Sequence, residues 1–263
     1  MKNPLHKRLP RELKSEFGKY AVVFFLMVAT IGFVSGFLVA DNSMLIAYNE
    51  SFEKYNIEDG NFRTADRIYR SQREDIEKLG IRLYENYYIE EELDNGNTMR
   101  FFKNREEVNK VCLMEGVFPE HTGEIAIDRM YADNNQLSVG DTLTSKDKSW
   151  KITGLVALSD YSCLFQNNND SMFDSVKFGV SVVTADEFDF LNQDKLQYNY
   201  SWKYNQEPSD EKEEKEISED LMEDIGAIVT LETFVPRYTN QAITFTGEDM
   251  GGDRAMIIML LYI

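Results

Sequence analysis

Residues 20–40 read YAVVFFLMVATIGFVSGFLVA, a run of twenty-one residues without a charged side chain. As a helix rising about 1.5 Å per residue, this stretch covers about 31 Å, close to the roughly 30 Å of a bilayer's hydrocarbon core. The run is apolar on all sides, which is typical of a membrane span rather than of a helix in a soluble core. We therefore predict a transmembrane helix at residues 20–40, with the lipid bilayer as a partner.

The residues that flank this run indicate its direction. Residues 1–19 contain six Lys or Arg and two Glu, and the first base after the run is Lys54. This asymmetry predicts a cytoplasmic leader at residues 1–19, an extracytoplasmic position for residues 41–250 and localisation in the cell membrane. A cleaved signal peptide is the alternative, but its apolar segment would be about 7–15 residues long. Leu38 also stands where such a cleavage site needs a small residue, so we favour an uncleaved anchor.

The basic leader has a pattern of its own. Leu5, Leu9, Leu13 and Phe17 recur at four-residue steps, with bases between them. This spacing favours an amphipathic helix at the inner membrane surface, although Pro10 would interrupt or begin it. An ordinary basic topology signal explains the charges equally well.

Composition excludes several functional classes. The formal charge of -18 divides into +4 for residues 1–19 and -22 for the rest, which argues against nucleic acid as a partner. The histidines are His6 and His121, and the chain has no GxxxxGK[ST] phosphate loop. Cys112 and Cys163 could pair, or remain two separate buried thiols. We expect no enzymatic activity, no catalytic or metal-binding residues and no cofactor.

The predicted span has a candidate contact face and an extension. Gly32 and Gly36 form a GxxxG pair, which lets a second membrane helix approach closely. No helix breaker follows until Asp59 and Gly60, so the helix should continue as a rigid stalk over residues 41–60, ending near Ile57. Apolar residues at spacings of three, four and three would form the seam of this stalk: Leu45, Tyr48, Phe52 and Tyr55.

After the stalk, the pattern predicts an α+β domain over residues 61–250 with antiparallel strands. A short helix should begin at Thr64 and stop at Gly80, and a strand over residues 81–89 should return as a hairpin through the DNGN turn at residues 94–97. Further strands are expected at residues 98–102, 124–127, 142–144, 150–158, 176–183, 196–204 and 228–235, and helical segments at residues 129–134, after Thr184 and, as an acidic amphipathic helix, within residues 207–224.

The middle of this domain carries a recognisable arrangement: GEIAID at residues 123–128, LSVGDTL at residues 137–143 and ITGLV at residues 152–156. With the basic leader, the early membrane helix and the GGD segment at residues 251–253, this arrangement resembles the extracytoplasmic core domain of MacB/FtsX-like ABC transporter permeases. The matching positions are Gly123, Glu124, Ile125, Ala126, Asp128, Leu137, Val139, Gly140, Asp141, Ile152, Thr153, Gly154 and Val156. These motifs are structural, and none is a catalytic signature.

The resemblance implies a membrane permease subunit. Such a protein would have four membrane helices, pair with a second permease copy or a related permease, and bind a separate cytoplasmic ABC ATPase. Motion driven by ATP would pass to the outer domain for export or handling of peptides or lipids, or for control of cell-wall hydrolysis. The competing hypothesis is the extracytoplasmic sensor domain of a membrane signalling receptor, which shares the anchor and the acidic outer domain.

The last residues, 251–263, end in AMIIMLLYI. Nine apolar residues cannot span a bilayer as a helix. We interpret residues 251–263 as the start of a second transmembrane helix that the end of the sequence cuts short, with a C-terminal strand or short core helix as the alternative.

Overall fold

A computed structural model describes residues 12, 14–146 and 148–261. It divides into one compact unit of residues 49–248 and a second unit made of residues 1–48 and 249–263. In chain order the helices and strands are α1 (Phe17–Lys54), β1 (Gly60–Thr64), α2 (Arg70–Glu77), β2 (Ile81–Glu85), β3 (Tyr88–Glu92), β4 (Thr98–Lys103), β5 (Val111–Gly116), β6 (Glu124–Asp128), α3 (Arg129–Asn134), β7 (Thr142–Ser145), β8 (Lys148–Leu158), β9 (Phe178–Val183), α4 (Ala185–Phe190), β10 (Tyr198–Tyr204), α5 (Glu211–Ile228), β11 (Leu231–Pro236) and α6 (Gln241–Leu261).

Helix α1 is a single helix of 38 residues. Its apolar side chains are exposed around the helix, as at Phe25 (67%) and Phe33 (72%). By length and composition, α1 is the one helix among the described residues that could cross a membrane. The long N-terminal helix of the predicted fold class is therefore confirmed. It ends at Lys54, three residues before the predicted end, where Asn56 adopts a left-handed conformation with φ of +48°.

The structure describes more of the C-terminal end of the sequence than of the N-terminal end. The stripe predicted at Leu5, Leu9 and Leu13 lies outside the described residues. Residues 251–261 form the last part of helix α6, so the alternative of a C-terminal strand is wrong for this segment. That α6 begins a second membrane span stays a prediction, and residues 262–263 lie outside the described part of the chain.

The larger sheet of the folded unit has seven strands in the order β3-β4-β9-β6-β8-β5, with β7 paired to β8. Its pairings are mixed, because β4 with β9 and β6 with β8 run parallel while the others run antiparallel. All six residues of β9 are buried. This pattern is typical of a strand covered on both faces. Large side chains fill the core around it, including Phe101, Tyr131 and Trp150.

The smaller sheet has four antiparallel strands in the order β11-β1-β10-β2. Residues alternate along its strands, so that Phe62 and Trp202 pack with Ile225 of α5 on one face. The opposite face carries polar side chains such as Asn61 and Asn199. The predicted α+β class with antiparallel strands is confirmed, and the acidic segment forms the amphipathic helix α5, which buries Leu221 and Ile225.

The predicted start of the first short helix is wrong. Thr64 ends β1 instead of starting a helix, because it pairs with Tyr198 and Leu231 in the small sheet. Helix α2 begins after Tyr69, whose backbone N–H donates to the Gln72 side chain at 2.9 Å. Gly80, with φ of +94°, does follow the end of α2 as predicted.

The strand predicted over residues 81–89 is interrupted. Its first half is β2 of the small sheet, and its second half begins β3 of the large sheet. The chain passes between the sheets at Asn86, a buried residue whose side chain donates to Ser201 Oγ at 3.1 Å. The predicted hairpin is confirmed only for β3 and β4, which are joined by a turn containing Gly96 with φ of +79°.

Candidate functional site

The motif at residues 123–128 places an acid at the start of a helix. Asp128 ends β6 and caps α3, because its Oδ1 accepts from the backbone N–H groups of Met130 at 2.8 Å and Tyr131 at 3.2 Å. Burial raises the pKa of Asp128 to about 6, although those hydrogen bonds act in the opposite direction. The carboxylate of Glu124 is exposed to solvent. It accepts hydrogen bonds from the backbone N–H groups of Glu120 and His121, and these bonds lower its pKa.

Gly123 is hydrogen-bonded to Glu187, a buried residue of α4. The Gly123 N–H donates to Glu187 Oε2 at 2.8 Å, and Trp150 Nε1 donates to Glu187 Oε1 at 2.7 Å. The buried carboxylate therefore joins β6, β8 and α4. Gly123 has φ of +79°, a conformation that favours glycine.

The remaining motif residues form turns and close contacts around β8. Gly140 has φ of +102°, and its N–H donates to the Ile152 carbonyl at 2.8 Å, while Ile152 N–H donates to Asp141 O at 2.9 Å. A Cβ at Gly154 would lie 2.5 Å from the Val117 carbonyl oxygen. The seven motif residues lie on β6, on β8 and in the turns before β6 and β7: Gly123, Glu124, Asp128, Val139, Gly140, Asp141 and Gly154. Their role as a family motif stays a prediction.

The helix residues singled out for packing lie on α1. A Cβ added at Gly32 or Gly36 would meet nothing within 4 Å, so the described chain leaves this face open. Contact with another membrane helix there stays a prediction. The four seam residues, Leu45, Tyr48, Phe52 and Tyr55, are all half-buried. Their role in a stalk pair also stays a prediction.

The end of α1 is bonded into the folded unit. Lys110 N–H donates to the Tyr55 carbonyl at 2.9 Å, and Asn109 N–H donates to the Asn56 carbonyl at 3.0 Å. The Asn56 side chain donates in turn to the Glu107 carbonyl at 2.7 Å. These bonds fix the residues that follow α1 against the segment before β5.

A buried carboxylate connects this segment to the other end of the domain. Asp59, 1% exposed, accepts from Lys203 Nζ at 2.7 Å, Arg237 Nη1 at 2.7 Å and Tyr204 N–H at 2.8 Å. Its backbone carbonyl also accepts from the Arg237 N–H at 2.8 Å. The Arg237 guanidinium lies 5.4 Å from the centre of the Phe52 ring. We call Asp59, Lys203 and Arg237 the junction cluster, because it joins the chain after α1 to the turn before α6.

The junction cluster was not predicted. Asp59 was treated as a helix breaker, and its partners Lys203 and Arg237 lie far along the chain. A local pattern contains no signal for such a contact. In the sequence, the junction cluster is marked only by Asp59, an acid between a long helix and a strand.

Next to the junction cluster is a buried polar network. Arg105 forms a two-point ion pair with Asp160, at 2.6 and 2.7 Å, and both side chains are less than a tenth exposed. The Asn109 side chain donates to Glu58 Oε2 at 2.7 Å, and Ser201 Oγ donates to the same oxygen. Burial, followed by the negative charge of Asp160, raises the pKa of Glu58. Glu58 and Asp160 of this network line a cavity of about 430 Å³.

No family model matches the chain, and no curated protein matches it. Among solved structures, the chain is similar to the crystal structure of the periplasmic region of MacB from Actinobacillus actinomycetemcomitans. The two are 10% identical, with a TM-score of 0.34, and the match covers 64% of this chain and 85% of the other. A likeness this weak assigns neither a family nor an activity.

Proposed function

We propose that this chain is a membrane permease subunit of an ABC transporter that carries ATP-driven motion to an extracytoplasmic domain. The observation that carries the proposal is the uninterrupted helix α1. Its first part has the length and composition of a membrane span, and its last residues, 49–54, belong to the folded unit. A continuous helix is stiff enough to transmit displacement, whereas a flexible linker is not.

Three further features support this role. The junction cluster joins the residues that follow α1 to the turn before α6, so that a displacement of the end of α1 moves this turn as well. The GEIAID, LSVGDTL and ITGLV segments resemble those of MacB/FtsX-like permeases. The basic leader is on the side where the positive-inside tendency places the cytoplasm, which is where a separate ATPase would bind.

In this proposal the chain pairs with a second permease copy or a related permease through the membrane helices. The Gly32 and Gly36 face is open for such a contact. The cargo would be a peptide or lipid, or the domain would control a cell-wall hydrolase. The sensor hypothesis does not account for the three motif segments, so we place it second.

The test uses the full chain in lipid nanodiscs with a separately produced ABC ATPase from the same source. We expect the two to co-purify and ATP turnover to change hydrogen exchange at residues 55–64 and 231–240. Ala47→Pro should kink α1, because proline in a helix interior costs about 3 kcal/mol or more. It should abolish the exchange response while the complex still forms.

Ala47→Ser is the matched control, because it changes the same exposed position without breaking the helix. Absence of a complex with the ATPase would contradict the permease assignment. An unchanged exchange response in Ala47→Pro would leave that assignment standing and refute transmission through α1.

A further inference from the structure

The cavity of about 430 Å³ lies over the polar face of the small sheet. Asn61 and Arg63 of β1, Asn199 of β10 and Thr233 of β11 line one side of it, and the loop at residues 166–169 lines another. Its volume falls in the range of small-molecule sites, which is roughly 300–1,000 Å³. We call this cavity the amide cleft.

The charged side chains of the amide cleft already have partners in the chain. Arg63 Nε pairs with Glu232 at 2.7 Å, and Arg100 Nε donates to Glu90 at 2.9 Å. Arg100 also lies with its guanidinium carbon 4.2 Å from the centre of the Tyr88 ring. Glu58 lines the amide cleft without a cation partner, but its two oxygens already accept hydrogen bonds from Asn61, Asn109 and Ser201. The charged groups of the amide cleft are therefore engaged within the chain and none is left free for an ionic ligand.

The neutral polar side chains are different. Among the described residues, the side chains of Asn169, Asn199 and Thr233 line the amide cleft and make no hydrogen bond within the chain. An Asn amide has two donor hydrogens and an acceptor oxygen, and a Thr hydroxyl both donates and accepts. The groups that match such a mixed set are hydroxyls, which also donate and accept.

Apolar surface borders these polar groups. Phe165 and Val235 also line the amide cleft. A sugar ring combines hydroxyls at its edge with C–H groups on its faces, so it can satisfy both kinds of contact at once. A free peptide would bring charged ends for which the amide cleft has no free partner.

We propose that the amide cleft binds a neutral, hydroxyl-rich ligand, a saccharide of one or two rings. Asn199 and Thr233 hydrogen-bond its hydroxyls from β10 and β11, the two strands that flank β1 in the small sheet, and Asn169 contacts it from the loop at residues 166–169. The proposal does not depend on transport by an ABC system.

The test is calorimetric titration of the full chain in lipid nanodiscs, because detergents with sugar headgroups would compete. The probes are maltose, cellobiose and diacetylchitobiose, with trialanine as the peptide comparator. We expect at least one disaccharide to bind with a dissociation constant of about 1 mM or lower. Asn199→Ala should weaken that binding about tenfold, as expected for the loss of one or two hydrogen bonds.

Asn205→Ala is the matched control, since Asn205 follows the same strand but is exposed and outside the amide cleft. Thr233→Val, which replaces the hydroxyl with a methyl of similar size, should weaken binding without altering the thermal midpoint. The proposal is overturned if no disaccharide binds at about 10 mM, if only trialanine binds, or if both cleft variants bind as the unaltered chain does.

Discussion

The two sheets of the folded unit bury their residues in different ways. In the large sheet every residue of β9 is buried, so both faces are covered. In the small sheet β10 alternates, with Tyr200 and Trp202 toward the helices and Asn199 toward the amide cleft. The large sheet is therefore packed on both faces at β9, whereas the small sheet has one face packed on helices and one face toward the amide cleft.

The largest expected effect contrasts the two faces of β10. Trp202→Ala should lower the free energy of unfolding by about 3–5 kcal/mol, because it removes a fully buried indole from the core of the small sheet. Asn199→Ala, on the opposite face, should change it by less than about 0.5 kcal/mol. Urea unfolding of the full chain, followed by near-ultraviolet circular dichroism, measures both. Equal losses would show that the amide-cleft face is packed as tightly as the helix face.

The second prediction compares two buried carboxylates, those of Asp59 and Asp128. Asp59, directly before β1 of the small sheet, contacts two cations, whereas backbone N–H groups are the hydrogen-bond donors to Asp128, the last residue of β6 in the large sheet. Because the pKa of Asp128 is raised to about 6, the native state holds its proton more tightly than the unfolded chain does. Stability from this group is therefore greatest below about pH 4 and falls as the pH rises toward 6.

Asp128→Asn tests this assignment, because Asn caps a helix as well as Asp and does not titrate. At pH 7 the variant should be more stable, by up to about 3 kcal/mol, and its urea midpoint should depend less on pH between 4 and 6. Glu58 leaves a dependence of the same sign, since burial also raises its pKa. A variant with the original pH dependence would show that Asp128 is ionised in the folded protein at pH 4.

The smallest expected loss of stability tests whether both faces of β9 are equally well packed. Val182 and Val183 are adjacent, so their side chains point to opposite faces of the large sheet, and both are at most 1% exposed. Replacing either with Ala should cost about 2 kcal/mol, from lost apolar burial and an unfilled cavity. Thermal and urea unfolding of the two variants should agree. If one substitution were neutral, one face of the large sheet would be less well covered than its burial indicates.

Helices and turns that depend only on nearby residues could be predicted from the sequence. The apolar run predicted α1, the DNGN turn predicted the β3–β4 hairpin, and Asp128 precedes the helical turn expected at α3. The junction cluster and the amide cleft could not be predicted, because they depend on which strands become neighbours. The division of residues 81–89 between two sheets was missed for a related reason, since the apolar alternation continues across Asn86 and marks no boundary.

The ion pair between Asp59 and Arg237 joins residues separated by 178 positions in the chain. The polypeptide therefore enters and leaves the folded unit at one place. A unit with adjacent ends can be exchanged as a cassette between two helices without changing either helix. The sequence between Asp59 and Arg237 can therefore be replaced as a whole, as long as the acid and the base at its two ends are kept.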